Sequence, residues 1–205
     1  MRQKHLKYVN KELLLSEGVI VNAEKIERSQ KKSFLEIGSG KVLFITSMAK
    51  NNPENHYYAM EVNINVCYRI LEKKKDLNLD NLTIILADAD DLLAFFEPRS
   101  IDGLYLNFSD PWPKTRHHKR RLTYPLFMEK YLQILKDQSI IQFRTDHIEL
   151  FDSSIEYMHQ YVTIENLDYN LEASEYMTEY EMKKRKLGPI YQLIGRVEHH
   201  AQKNI

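Results

Sequence analysis

Short apolar runs of β-forming residues recur along this chain at Ser33–Ile37, His56–Glu61, Leu82–Leu86, Ile101–Asn107, Ile140–Arg144, Thr163–Asp168 and Ile190–Arg196. Stretches with helical spacing fall between the early ones: Lys41–Lys50, Asn63–Asp76, Asp90–Phe95, Tyr124–Leu135 and Ile148–Tyr161. Parallel neighbours need a crossover long enough to carry a helix. This alternation therefore predicts an α/β fold, a mostly parallel sheet of about seven strands with helices on both faces. The last two strands are less clearly separated by a helix, which allows an antiparallel edge there. Residues 1–30 read as a lead-in segment with one short amphipathic helix, Val9–Ser16, and residues 31–205 as a single domain. A chain of 205 residues, 43% hydrophobic, is long enough for one sizeable core.

In an open parallel sheet, ligands bind beyond the carboxyl ends of the strands, so the residues at each strand exit are the first candidates for a site. The first strand leaves through "LEIGSGK", where Gly38 and Gly40 bracket Ser39 and let the backbone turn tightly against a ligand. A G-x-G alone is equally a plain helix entry. The second strand, 21 residues after Gly40, ends in Glu61, a carboxylate able to accept hydrogen bonds from both hydroxyls of a ribose. The third exits through "ILADAD", where Asp88 can hold an exocyclic amine of adenine and Asp90 reads as the cap of the next helix. Together these describe an adenosine-shaped site. A dinucleotide needs room for its pyrophosphate, usually at a third glycine, and that position is Leu43. Glu36 beside the first loop would repel pyrophosphate and suits a positive amine or sulfonium. S-adenosylmethionine is thereby favoured over NAD.

The fourth strand runs into "NFSDPWPKTRHHKRR", so Asp110 should enter the same crevice. Pro111 and Pro113 stiffen the loop around Trp112. Trp112 offers either an aromatic face for base stacking or a packed anchor for the loop, and the cations after it offer phosphate contacts. The 29 basic and 29 acidic residues balance, which argues against coating nucleic acid by bulk charge, but the charges are segregated. Trp112–Arg121 holds five Lys and Arg and no carboxylate, and "EMKKRK" from Glu181 to Lys186 holds four cations against one acid. His117 and His118 read as phosphate or surface contacts, and no metal site is expected because no third ligand has plausible spacing. The single Cys67 can form no internal disulfide and reads as a buried helix thiol. The early "ELLLSEGVIV" is interrupted by Glu12, Ser16 and Glu17, too broken for a signal peptide or membrane span, so a cytoplasmic protein is expected.

"EIGSGK", "MEVN", "ADAD", "FSDPWPKTRHHKRR", "RTDH" and "TEYEMKK", in that order between Phe34 and Tyr191, resemble the bacterial tRNA (guanine-N7-)-methyltransferase family. The resemblance implies a Rossmann-like class I fold, S-adenosylmethionine as cofactor, and methylation of a guanine in the variable loop of tRNA by a monomer or homodimer. It further implies that Glu36, Gly38, Gly40, Glu61, Asp88 and Asp110 form the cofactor side, with Asp110 catalytic. Lys114, Arg116, His117, Lys119, Arg120 and Arg121 would touch RNA, as would Asp146 and the Thr178, Glu179, Tyr180, Glu181 segment. One departure stands out: the family's loop reads G-x-G-K-G, and Val42 replaces its last glycine, where a β-branched side chain can crowd the methionine end of the cofactor. The amino-terminal segment also lacks the family's proline and much of its length. Two other readings compete. An amino-group methyltransferase would want a Pro-Pro-aromatic loop where this chain has Asp-Pro-Trp. A noncatalytic RNA-binding module would bind tRNA without the cofactor.

Overall fold

The computed structural model describes residues 6–40 and 42–199. Seven strands form one sheet: β1 (Ser33–Ile37), β2 (His56–Glu61), β3 (Leu82–Leu86), β4 (Ile101–Asn107), β5 (Leu135–Thr145), β6 (Thr163–Asp168) and β7 (Tyr191–Arg196). Their spatial order is β3-β2-β1-β4-β5-β7-β6, and β7 alone runs antiparallel to both of its neighbours. The antiparallel edge expected from the sequence is therefore present. β5 begins earlier than expected, because Leu135 already pairs with Ile101 before a register shift carries the ladder on to Ile140.

The crossovers hold α2 (Leu43–Asn51), α3 (Ile64–Leu77), α4 (Leu92–Phe95), α5 (Pro125–Ile134) and α6 (Ile148–Met158). Lys41, expected to begin the second of the chain's helices, lies outside the described residues. α3 shows why these segments fold locally. Asn63 accepts hydrogen bonds from the amides of Asn65 and Val66, Asn78 ends the helix in the left-handed region at φ 51°, and Val66, Cys67, Ile70 and Leu71 form the buried face between. Burial pushes the Cys67 thiol up to about 12, so it is packing and not a nucleophile. The helix expected at Asp90–Phe95 is split, because a 3-10 turn at Ala89–Asp91 precedes α4.

Alternate strand residues feed two cores. Leu35, Ile37, Met60, Leu104, Leu106 and Phe143 face α4, α5 and α6, and Tyr57, Ala59, Ile84 and Tyr105 face α2 and α3. The lead-in segment, with α1 (Lys11–Ser16) capped by Asn10, joins the second core through Val9, Leu14 and Val19. Ile20 then bridges to Ile85 and covers the β3 edge, while Lys25 and Arg28 donate to the carbonyls of Phe96, Pro98 and Arg99. Among the described residues no helix is long and apolar enough to cross a membrane.

The connection from β6 to β7 contains a helix that the sequence pattern did not reveal, α7 (Glu179–Lys184). Six residues cannot sustain a helix on propensity. Thr178 caps it by accepting from the Glu181 amide at 2.9 Å, and Glu181, with no exposed surface, docks it between Arg144 at 3.3 Å and Arg185 at 2.6 Å. Removing that carboxylate leaves two guanidinium groups facing each other in a low-dielectric interior. Glu181→Ala is expected to cost about 3 kcal/mol or more in urea unfolding, and a double-mutant cycle with Arg144→Met should show strong coupling between the two sites.

Candidate active site

A cavity of about 750 Å³ opens beyond the carboxyl ends of β1 to β4, and Gly38, Glu61, Asp88, Asp110, Lys119 and Arg120 all line it. The first loop requires its glycines, since Gly38 and Gly40 sit at φ 72° and 47°. Glu61 ties that loop to the next: its carboxylate accepts from the Gly40 amide at 3.2 Å and the Asn63 amide at 2.9 Å. Burial raises the Glu61 pKa, the backbone donors pull it back, and the nearby Asp110 carboxylate adds to the rise.

Asp88 is exposed at the cavity wall, but it is also the cap expected of Asp90, accepting from the Asp90 amide at 3.0 Å. Asp90 instead pairs with Lys130 at 2.7 Å. The exchange follows from the 3-10 turn, which starts the helical segment two residues early. Glu36 lies behind the loop, 1% exposed. Its Oε1 accepts from Asn107 Nδ2 at 2.9 Å, and its Oε2 is buried without a partner among the described residues. Burial is the chief reason its carboxyl is pushed up to about 8. An acid in that setting awaits a donor or a cation.

α7 packs behind the cavity, against Phe108. Phe108, which lines the cavity, packs against Tyr180 at 5.2 Å between ring centroids. The Tyr180 hydroxyl donates to Asp146 at 3.3 Å, and Lys184 pairs with the same carboxylate at 2.7 Å. Asp146 and Tyr180, distant in sequence, are thus brought together as expected of one site. Glu179 reaches the start of α2, where it accepts from the Leu43 amide at 3.4 Å. It substitutes for a missing local cap, because Val42 occupies the cap position and cannot accept a side-chain bond. Val42 stands at φ 65°, a conformation natural to glycine and strained for a β-branched residue.

Three residues expected to touch RNA do not reach solvent. Thr178 and Glu181 are buried in the docking of α7, and Arg121 is buried beneath the loop of Asp110, donating to the carbonyls of Pro111 and Trp112. Thr178 and Glu181 have their polar atoms committed inside the protein, and Arg121 is buried with Nε and Nη2 so committed, which leaves the three no phosphate contact in this arrangement. Trp112 is half-buried and anchors the loop: the Arg120 guanidinium lies 4.9 Å over its ring and His117 meets it edge-on. Arg120 thus takes one face of the ring, while Trp112 still lines the cavity. Lys114, Arg116, Lys119 and Arg120 remain exposed on and beside the 3-10 turn Thr115–Arg120. Sequence reasoning missed Phe108, Asn107 and the exposed Val62 and Leu126 at the cavity rim; an apolar Val directly after the strand-ending Glu61 was the available signal. Among the described residues no group of acidic, His or Cys side chains can hold a metal ion.

Comparison with known proteins agrees with this geometry. Residues 30–193 match the model of a family described as a putative methyltransferase. The tRNA (guanine-N(7)-)-methyltransferase of Streptococcus mutans serotype c is 45% identical, covering 80% of this chain and 79% of its own. The enzyme of that name from Lacticaseibacillus casei is 40% identical over 89% of this chain and 92% of its own. Among solved structures, the 16S rRNA methyltransferase KamB superposes with a TM-score of 0.65 at 15% identity, covering 95% of this chain and 97% of its own. An rRNA methylase from Streptococcus thermophilus gives 0.57 at 18% identity, covering 83% and 89%. At such identities these two likenesses speak for the fold alone, and both belong to the methyltransferase class of Rossmann-like sheets.

Two expectations test the local physics. Glu36 titrates at about 8 in the folded chain against 4.5 ordinarily, so the folded state holds the proton more tightly. The resulting stability is complete below the ordinary value and is lost as pH rises through the folded one. Glu36→Gln should therefore gain in urea midpoint relative to the parent as pH rises between those two values. Val42→Gly should raise stability by about 1 kcal/mol, the left-handed strain removed less the entropy that glycine adds to the unfolded chain, as read by thermal denaturation.

Proposed function

This chain belongs to the tRNA (guanine-N7-)-methyltransferase family, and from that membership we propose that it moves a methyl group from S-adenosylmethionine to N7 of a guanine in the tRNA variable loop. The observation that carries the reading is the convergence in one cavity of Glu61, Asp88 and Asp110 from three strand exits with Lys119 and Arg120 at its mouth. Purely adenosine-binding proteins have no need of the second set.

The residues fit the cofactor. Gly38 and Gly40 keep the backbone of the first loop open to a ligand, and Oε2 of Glu36, without a partner among the described residues, is a buried acceptor suited to an ammonium. Glu61 retains lone pairs for ribose hydroxyls beyond its two amide bonds, and Asp88 keeps Oδ2 for an exocyclic amine while Oδ1 caps the turn. When bound, S-adenosylmethionine supplies an electrophilic methyl group on a sulfonium. The protein's task is then positioning. Guanine N7 carries a free lone pair in the neutral base, so no proton has to leave the attacking atom. What matters is holding N7 within roughly 3–3.5 Å of the methyl carbon.

Asp110 is placed to accept from the N–H edge of the guanine and to stabilise the positive charge that methylation leaves on the purine. Phe108 forms the wall against which the base would lie, backed by Tyr180, whose hydroxyl is fixed by Asp146. Lys114, Arg116, Lys119 and Arg120 take the phosphates, and tRNA in the cytoplasm is the partner this implies. Arg121, Thr178 and Glu181 are assigned instead to supporting the site.

Incubation with labelled S-adenosylmethionine and unmodified tRNA, followed by nucleoside analysis, should yield 7-methylguanosine from the variable loop. Binding of tRNA without methyl transfer would instead identify a noncatalytic RNA-binding module. Asp110→Asn should lower turnover by about 100-fold or more at saturating cofactor and tRNA, with little change in cofactor affinity. Retained turnover would remove Asp110 from the mechanism.

A further inference from the structure

Arg121 is the largest fully buried side chain among the described residues, and no carboxylate of theirs pairs with it. A guanidinium without a counter-ion in the interior costs several kcal/mol to desolvate, so its contacts must do something the fold depends on. Nε donates to the Pro111 carbonyl at 2.9 Å, and Nη2 donates to the Trp112 carbonyl at 3.4 Å and to His118 Nε2 at 2.9 Å. Because arginine has no acceptor, His118 must present an unprotonated Nε2 to this bond. Nη1 is buried with no partner among the described residues.

Besides the Arg120 and His117 contacts to the Trp112 ring, the loop has few polar ties. Among the described residues, the hydrogen bonds made to residues 109–113 come from Arg121, and Pro111 and Pro113 have no amide to contribute. The same loop is strained on both sides of Asp110, with Phe108 at φ 55° and Trp112 at φ 39°. Non-glycine residues in that region cost on the order of 1–3 kcal/mol each and persist only where their surroundings impose them. The fork of a guanidinium can grip two successive carbonyls at once, which a lysine ammonium on a flexible stem does poorly.

We propose that Arg121 is a positioning residue: it clamps the strained loop from beneath and so sets where Asp110 stands in the cavity. It belongs to the basic run only in sequence, for Lys114, Arg116, Lys119 and Arg120 face solvent and Arg121 faces inward. The inference rests on the assignment of Asp110 as the catalytic group, although the clamp itself is a statement about the loop.

Trp112 is the chain's only tryptophan, so its fluorescence reports this loop directly. In Arg121→Lys the Trp112 emission should shift and become easier to quench with acrylamide. Turnover should fall roughly 10- to 100-fold, in keeping with a displacement of order 1 Å at the reacting centre. The KM for tRNA and the salt dependence of tRNA binding should stay as in the parent. Arg116→Ala supplies the contrast: it should raise KM and reduce the salt slope by about one, with parental Trp112 emission. An Arg121→Lys protein with parental emission and turnover, or with the reduced salt slope of Arg116→Ala, would overturn the proposal. If Arg121→Lys does not fold, His118→Ala removes one of the three acceptors; a smaller change in emission in the same direction is expected, and parental emission would count against the clamp. The emission readout involves no turnover. A normal Asp110→Asn enzyme together with a shifted Arg121→Lys spectrum would therefore retain the clamp and discard the role of Asp110.

Discussion

A row of buried polar side chains across the strand ends, on the face covered by α2, is the constraint around which the site is arranged. Glu36 on β1 accepts from Asn107 on β4, Gln142 on β5 reaches the Asn107 carbonyl oxygen, and Arg144 on β5 donates to Gln192 on β7. Arg144 also meets Glu181, which brings in Arg185 and with it the whole of α7. Strand pairing fixes the spacing of these groups, so the row can be satisfied only in the native register. A partly satisfied row in the interior is worse than an apolar one, and the one open valence, Glu36 Oε2, lies next to the glycine loop. Scaffold and site thus share one face of the sheet: the group that docks α7 and the group that holds Glu36 behind the loop lie side by side on β4, β5 and β7.

The two walls of the cavity are built on different principles. On the cofactor side, acids at strand exits are held by backbone amides, as Glu61 and Asp88 are, and little there depends on distant segments. On the opposite side, side-chain contacts do the holding, two of them between residues far apart in sequence. Tyr180 is fixed by Asp146, Glu179 by the start of α2, and the loop of Asp110 by Arg121. The first wall is preorganised by local structure and the second by tertiary packing, and substrate specificity is the property expected to vary more easily on the second.

That division explains what could be read from the chain. Strand limits were readable because each apolar run of β1 to β4 is closed by turn chemistry at once, and the acids were readable because they sit directly at those closures. β5 was shortened in the reading because Lys136, Asp137 and Gln138 look like a loop, although the pairing with Ile101 carries the strand past them. α7 was missed because its stability comes from Arg144, 37 residues away from Glu181, and no window of local sequence contains both. The same blindness assigned Arg121, Thr178 and Glu181 to solvent or RNA. A charged residue is read as exposed by default, and only the fold shows that its partners are already inside.

The place of β7 in the sheet bears on the order in which the chain can mature. β7 is the last strand in sequence, yet it lies between β5 and β6 and pairs with both. As the polypeptide leaves the ribosome, the first five strands can assemble in a parallel array while β6 has no neighbour to join. Residues 163–168 must wait, with their backbone groups solvated, until residues 191–196 arrive and insert between two preformed edges. The intervening segment carries α7, so the docking of α7 behind Phe108 and the final closure of the sheet are completed in the same late event. Nascent chains would accordingly lack a closed sheet on this side until residues 191–196 have emerged.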